Sequence, residues 1–158
     1  MNDDAALATL LDKLIETLKD GEEGFRTAAR YVKAKDLREL FTRLSKERAS
    51  FVHELQGLAK SLGENQPETG GSVMGAAHRE WIDLRAAVET QNAKAILDEC
   101  ERGENTAVDR FKKALDDDLP STARVIVVNQ FVKVQAARNC VHALLNDVTK
   151  AADQKARW

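Results

Sequence analysis

Residues that interrupt helices or cross-link chains are scarce in this sequence of 158 residues. It contains two cysteines, two prolines and eight glycines, and aromatic residues make up 5% of it. Cys100 and Cys140 are too few for a disulfide framework and lack Cys-x-x-Cys spacing, so we expect reduced thiols, and whether they ever pair stays open. The scarcity of glycine and proline favours long, uninterrupted helices.

Neither charge nor hydrophobicity is concentrated in one segment. The 26 acidic and 24 basic residues are interspersed, which argues against a nucleic-acid partner. The apolar run from Val125 to Val128 is far shorter than the roughly 20 residues that span a bilayer, and the acidic start at Met1–Asp4 differs from a secretion signal. We therefore expect a cytoplasmic protein with no membrane span and no nucleic-acid partner.

The apolar residues recur at steps of three and four, which is the period of helices that bury one face. This pattern predicts long helices at about 4–33, 36–62, 94–117 and 121–150, a shorter helix at about 72–90, and a C-terminal tail at 151–158. Two helical hairpins joined by a long crossover that contains its own short helix have the ferritin-like topology. The sequence therefore predicts one all-α domain, residues 1–150, folded as an antiparallel four-helix bundle.

Several polar residues interrupt the apolar seams, and burying a charge is unfavourable unless the charge is paired or binds a metal. Glu22, Glu47 and Glu104 lie at helical spacing from apolar residues of their seams and are predicted to point inward. Counted from the two hairpin bends, Glu22 is level with Glu47, and Glu104 is level with Gln135. The spacing therefore predicts one buried polar layer, made of Glu22, Glu47, Glu104, Gln135 and Arg138.

This layer can be compared with the carboxylate di-metal template, in which two helices each give one Glu and two give Glu-x-x-His. Ser50 follows Glu47 by three residues and Arg138 follows Gln135 by three, so neither motif has its histidine. A guanidinium is a fixed positive charge that binds carboxylates in bidentate fashion. We therefore predict that Arg138 neutralises part of the carboxylate cluster and that the bundle is metal-free, with no cofactor.

Three interpretations of the glutamates stay open. They lie at the seam edge and reach water, they form a paired buried network, or they bind a metal. In the third case Glu22, Glu47 and Glu104 hold iron or manganese, with Glu101 or His142 as a further ligand. On the predicted crossover helix, His78 and Trp81 are interpreted as structural residues.

Three segments carry a resemblance to a known family: LIETLKDGEEGFR at 14–26, GSV at 71–73 running to HREW at 78–81, and ECERGE at 99–104. Together they resemble an uncharacterised bacterial family of ferritin-like four-helix bundles, classed as a domain of unknown function. The resemblance implies the bundle, the crossover helix and a distant relation to rubrerythrin-type di-iron proteins, and it implies no established activity. The family carries histidine near the place of Arg138, so this sequence departs from it there.

Two classes of function follow from these observations. The sequence contains no nucleophile triad and no phosphate-binding loop, so no catalytic or cofactor-binding residue is predicted. The first prediction is a metal-free bundle with a structural or stress-related role that acts through protein association. Its expected partners are copies of itself, with a dimer as the favoured homo-oligomer, or an unknown protein. The alternative is a degenerate di-metal carboxylate protein that binds iron or manganese and has oxidoreductase activity. A small-molecule pocket between the helices is a third option for which no particular residue argues.

Overall fold

The structure, a computed structural model, describes residues 2–63, 84–90 and 92–156. This part of the chain is all-α. Its helices are α1 (Asn2–Tyr31), α2 (Lys35–Ser61), α3 (Leu84–Thr90), α4 (Ala93–Asp116) and α5 (Ser121–Ala156). None of them combines the length and the apolar character that a membrane crossing requires.

The four long helices form two hairpins that pack on each other. Helix α1 packs along α2, and α4 packs along α5. The hairpins are joined mainly through α1 and α4, with a smaller contact between α2 and α5, and α3 packs on α4 and α1. Helices α2 and α4 are therefore diagonal to each other, and their side chains can meet only across the centre of the bundle.

Two predicted segments differ from the structure or fall outside it. Of the crossover helix predicted at about 72–90, the part before Leu84, with His78 and Trp81, lies outside the described residues, and Leu84–Thr90 forms α3. The tail predicted at 151–158 is wrong as far as Ala156, because α5 continues to that residue. Residues 149–156 have no glycine or proline and are rich in alanine, which favours a helix even where the side chains are exposed.

Hydrogen bonds fix the two ends of α4. At its beginning, the side chain of Asn92 accepts hydrogen bonds from the backbone N–H groups of Lys94 and Ala95, as an N-cap does. Beyond its end, Arg124 donates to the carbonyl oxygens of Leu115 at 3.2 Å and Asp117 at 2.7 Å. The turn into α5 is therefore held by a side chain of α5 itself.

The apolar core is divided into two clusters, one towards each end of the bundle. One cluster includes Leu14, Leu55, Phe111 and Val127, and the other includes Phe25, Phe41, Leu97 and Val141. Between them, buried polar residues and glycines interrupt the seams of three helices: Gly21 and Glu22 on α1, Ser45 and Arg48 on α2, and Gly103 and Glu104 on α4. We call these six residues the central layer.

Candidate functional site

A buried ion pair lies at the middle of the central layer. Arg48 of α2 donates two hydrogen bonds to Glu104 of α4, from Nη1 to Oε1 at 2.7 Å and from Nη2 to Oε2 at 2.6 Å. Both side chains are 0% exposed. Parallel short contacts of this kind are the bidentate geometry in which a guanidinium and a carboxylate bind most strongly. The pair therefore connects the two diagonal helices through the core.

The surroundings of Arg48 are shaped to accept its guanidinium. The ring of Phe25 lies below it, with Cζ of Arg48 5.4 Å from the ring centroid, which is cation–π distance. On α1, the helix of Phe25, Gly21 leaves space where a Cβ would lie 3.2 Å from Nη1 of Arg48. A glycine inside a helix costs about 1 kcal/mol relative to alanine. Here the glycine allows α1 to approach the guanidinium.

Glu22 is a buried carboxylate of the central layer, and its ionic partners lie on its own helix. Its carboxylate is 2.8 Å from Nη2 of Arg26 and 3.2 Å from Nζ of Lys19, both on α1. Its backbone carbonyl accepts a hydrogen bond from the hydroxyl of Ser45 at 2.8 Å, which joins α1 to α2 at this height. Glu22 is therefore buried but neutralised from the surface side.

The predicted layer differs from the observed one on α2. Glu47 is only half-buried, and the fully buried charge on this helix is Arg48, which the sequence analysis missed. Arg48 lies four residues after Leu44 and three before Phe51, the same kind of spacing that was used to select Glu47. This spacing was the signal in the sequence that could have identified Arg48.

The predicted place of Arg138 is wrong. Its side chain lies at the surface between α4 and α5, where Nε donates to Oδ1 of Asn105 at 2.8 Å and Nη2 lies 3.9 Å from Oε1 of Glu101. His142 contacts the same oxygen of Glu101 through Nδ1. Arg138, Glu101 and His142 thus form a surface network outside the central layer, because Arg138 lies at the edge of the buried stripe of α5.

The predicted buried amide on α5 is also misplaced. Gln135 is half-buried, whereas Gln130, five residues earlier, is 1% exposed. The Nε2 group of Gln130 donates to the carbonyl of Phe51 at 3.3 Å and to Oε1 of Glu54 at 2.7 Å. Gln130 therefore links α5 to α2 within the first apolar cluster, at a different height from the ion pair.

The thiol of Cys100 lies one turn before Glu104 on α4 and is fully buried, whereas Cys140 is exposed. Burial raises the pKa of the Cys100 thiol well above its usual range, and the carboxylates of Glu104 and Glu99 raise it further. A thiolate, and not a thiol, is the nucleophile and the metal ligand. Cys100 is therefore held in its unreactive, protonated form.

The described residues can be tested against a di-metal centre. In this part of the chain, no three side chains among His, Cys, Asp and Glu come close enough together to hold a metal ion. Of the three candidate ligands, Glu104 gives both of its oxygens to Arg48, Glu22 is paired with two cations of its own helix, and Glu47 is half-buried. The donor set of a carboxylate-bridged pair of metals is therefore not assembled here.

Known structures share this fold. A mutant of Dps1 from Mycobacterium smegmatis has a similar structure, with a TM-score of 0.72 and 14% sequence identity over 91% of this chain and 97% of that chain. Among curated proteins, no sequence matches the chain. The likeness confirms the ferritin-like all-α bundle that the helix pattern predicted.

A family model matches residues 6–117, which include α1 from residue 6 onwards, α2, α3, α4 and the whole central layer. The chain therefore belongs to the family described as Domain of unknown function (DUF2383).

Proposed function

We propose that this protein is a metal-free, non-catalytic helical bundle that acts by association, first with copies of itself and then with a further protein partner. The observation that carries the proposal is the bidentate ion pair between Arg48 and Glu104 at the bundle centre. In the di-metal template this position belongs to metal ions held by carboxylates. In this chain a guanidinium takes the position and binds the carboxylate.

The chemistry of arginine supports this proposal. A guanidinium stays protonated at every pH at which proteins are folded, so its charge cannot be titrated away to make room for a cation. A divalent ion bound by Glu104 would have to displace Arg48 and would then leave a second positive charge buried beside it. Leaving a buried charge without its partner costs about 3–5 kcal/mol. The site therefore disfavours the metal that its fold could otherwise hold.

The central layer also supports a non-catalytic role. Its carboxylate is fully engaged, and the neighbouring Cys100 is protonated and inaccessible to solvent. A nucleophile or a general base must reach its substrate within hydrogen-bond distance. The layer therefore serves the structure, and the surface of the bundle serves the function. The proposal includes the cytoplasm as the compartment, since a reducing environment suits the free, exposed thiol of Cys140.

The test is metal content together with molecular mass. The untagged full chain is purified without chelator, dialysed against ferrous iron or manganese, and measured by elemental analysis. We expect far less than one metal per chain, and sedimentation equilibrium should show assemblies larger than a monomer.

Two outcomes would contradict the proposal. Near-stoichiometric iron or manganese that is lost in Glu104→Gln and kept in Glu101→Gln, a surface carboxylate on the same helix, would establish the degenerate di-metal protein with oxidoreductase potential. A protein that stays monomeric at every concentration would contradict association with copies of itself.

A further inference from the structure

One face of α5 is exposed, mainly apolar and without a charged residue of its own. Val125, Val128 and Val132 are 59%, 38% and 58% exposed, at the spacing of residues that share one side of a helix. Ala136, Asn139 and Ala143 continue this side towards the C-terminus and are also exposed. Asn139 is the polar member, and its Oδ1 accepts a hydrogen bond from Nη1 of Arg138 at 3.2 Å. We call these six residues the α5 face. The ammonium of the neighbouring Lys133 lies 5.8 Å from the ring centroid of Phe51 on α2, so this charge is directed away from the face.

The exposed sides of the other long helices are different. Each carries several charged residues, among them Arg30 on α1, Arg43 on α2 and Asp109 on α4. The cores of protein interfaces are depleted in charged residues, and an exposed apolar patch on an otherwise charged surface is typical of a contact site. Within the described residues, three of the five large apolar side chains that are exposed belong to the α5 face.

From these observations we infer that the α5 face is a homodimer interface, on which a second copy of this chain packs its own α5 face in antiparallel orientation. The inference rests on the proposed function and names its first partner. Two identical surfaces meet across a twofold axis, so every charge near that axis faces its own copy or a symmetry-related neighbour. The six residues of the α5 face carry no charge, so none of them repels its own copy.

The charges that flank the α5 face favour the antiparallel orientation. Asp147 and Lys150 follow the face on α5, and Asp116–Asp118 precede the helix, all of them exposed. In a parallel pair, each of these charges would lie against its own copy. In an antiparallel pair, Asp147 lies beside the positive N-terminal end of the partner helix, and Lys150 lies towards the acidic run. Both contacts are then favourable.

The shape of the face agrees with this orientation. The large residues occupy its first half, Val125 to Val132, and the small ones its second half, Ala136 to Ala143. With the twofold axis beside Ala136, Val128 of one copy lies near Ala143 of the other, Val132 lies opposite Cys140, and Val125 lies beside Asp147 at the edge of the contact. Large residues against small ones let two helices approach closely.

The size of the face predicts the strength of the dimer. From Val125 to Ala143 the face is about 27 Å long at about 1.5 Å per residue, and a helix is about 10 Å wide, so each copy buries roughly 270 Å². Specific interfaces usually bury about 800 Å² on each partner, and smaller ones belong to transient complexes. We therefore expect a weak, reversible dimer that forms at high protein concentration.

The first experiment measures association by sedimentation equilibrium of the full chain between low micromolar and several hundred micromolar. The wild type should form dimers, and Val132→Glu should weaken association at least tenfold. Tyr31→Glu is the matched control, since Tyr31 is an exposed apolar residue at the end of α1, outside the α5 face; it should leave association unchanged. Far-UV circular dichroism checks that each variant is folded.

The outcomes separate this inference from the proposed function. If the wild type forms dimers and Val132→Glu leaves them intact, the α5 face is not the interface, while association as such stands. If the wild type is a monomer at every concentration, both the inference and the association part of the proposed function are wrong.

The second experiment tests the orientation by mild oxidation of Val132→Cys, in which the new thiol is combined with the native Cys140. We expect a disulfide-linked dimer, because residues 132 and 140 of one chain are about 12 Å apart along α5, too far for a bond within the chain. The wild type should not cross-link through Cys140. A wild-type dimer linked by Cys140 to Cys140, or no cross-link in Val132→Cys, would overturn the antiparallel arrangement.

Discussion

Replacing one partner of the Arg48–Glu104 pair should damage the fold far more than replacing both. Arg48→Met leaves the carboxylate of Glu104 buried without its two short hydrogen bonds, and Glu104→Leu leaves a buried guanidinium. Both side chains are 0% exposed, so water cannot replace the lost partner. Each single variant should therefore lose about 3–5 kcal/mol of unfolding free energy. That is a large share of the roughly 5–15 kcal/mol of a typical domain.

The double variant, Arg48→Met with Glu104→Leu, removes both charges together. Apolar residues of similar volume often replace a buried ion pair at no cost or with a gain of about 1–4 kcal/mol. In this pair Nε of Arg48 has no hydrogen-bond partner among the described residues, so its desolvation is incompletely offset. The loss of the cation–π contact with Phe25 acts in the opposite direction by up to about 2 kcal/mol. We expect the double variant within about 2 kcal/mol of the wild type.

The assay is urea unfolding followed by far-UV circular dichroism at one fixed protein concentration. With a slope of about 2 kcal/mol per molar urea, each single variant should lower the midpoint by about 1.5–2.5 M. Arg26→Met is the control for an exposed pair, because Arg26 contacts Glu22 with a side chain that is 56% exposed, and it should change stability by less than about 1 kcal/mol. Additive single losses, or a double variant weaker than either single one, would refute the account of the central layer.

Two further predictions follow from the same layer. Gly21→Ala should destabilise the wild type, because the new methyl group meets a guanidinium that Glu104 holds fixed. In the Arg48→Met, Glu104→Leu double variant the same change should stabilise the fold by up to about 1 kcal/mol. Urea unfolding of each background with and without Gly21→Ala measures both effects, and a stabilised wild type would contradict the prediction. The pKa of Cys100 is raised on folding, so the folded state keeps the proton that the unfolded chain releases above pH about 8.5. The free energy of unfolding should therefore fall as the pH rises, by up to about 1.4 kcal/mol for each pH unit. Cys100→Ala, which keeps the exposed Cys140, should remove this part of the pH slope between pH 8 and 10, and equal slopes would contradict the burial argument.

The helices could be predicted from the sequence because each has a periodic apolar seam. The same seams do not define which charged residue lies at their centre. On α2, the buried set includes Val52 and Ala59 as well as Leu44 and Phe51, and this wider stripe is centred on Arg48, with Glu47 at its edge. The large apolar residues of α2, taken alone, shift the centre of the stripe by only about a quarter of a residue step, so Arg48 still lies nearer the centre than Glu47. The core was assigned a negative charge because spacing was tested against Leu44 and Phe51 only, and Glu47 and Arg48 both satisfy that spacing.

The error on α5 has a different origin. Its buried stripe passes through Val127, Gln130, Val134 and Val141. Around the helix axis, Arg138 lies about 50° from the centre of this stripe, towards α4. The helix is apolar on its exposed side as well, so its periodicity is weak, and the inward direction could not be determined from this helix alone. What produced the error on α5 is also what makes its outer face a candidate interface.

The position of the ion pair gives it a role that apolar packing does not provide. Helices α2 and α4 are diagonal in the bundle, and the two apolar clusters above and below the central layer could tolerate a shift of one helix along the other. A shift of α4 by one turn would move Glu104 away from Arg48 into an apolar cluster and leave two buried charges unpaired, which is strongly unfavourable. A buried polar pair can fix register in this way even when it adds little stability. In di-metal bundles, the metal centre joins ligands from different helices across the core. In this chain the ion pair of Arg48 and Glu104 joins the diagonal helices α2 and α4 directly.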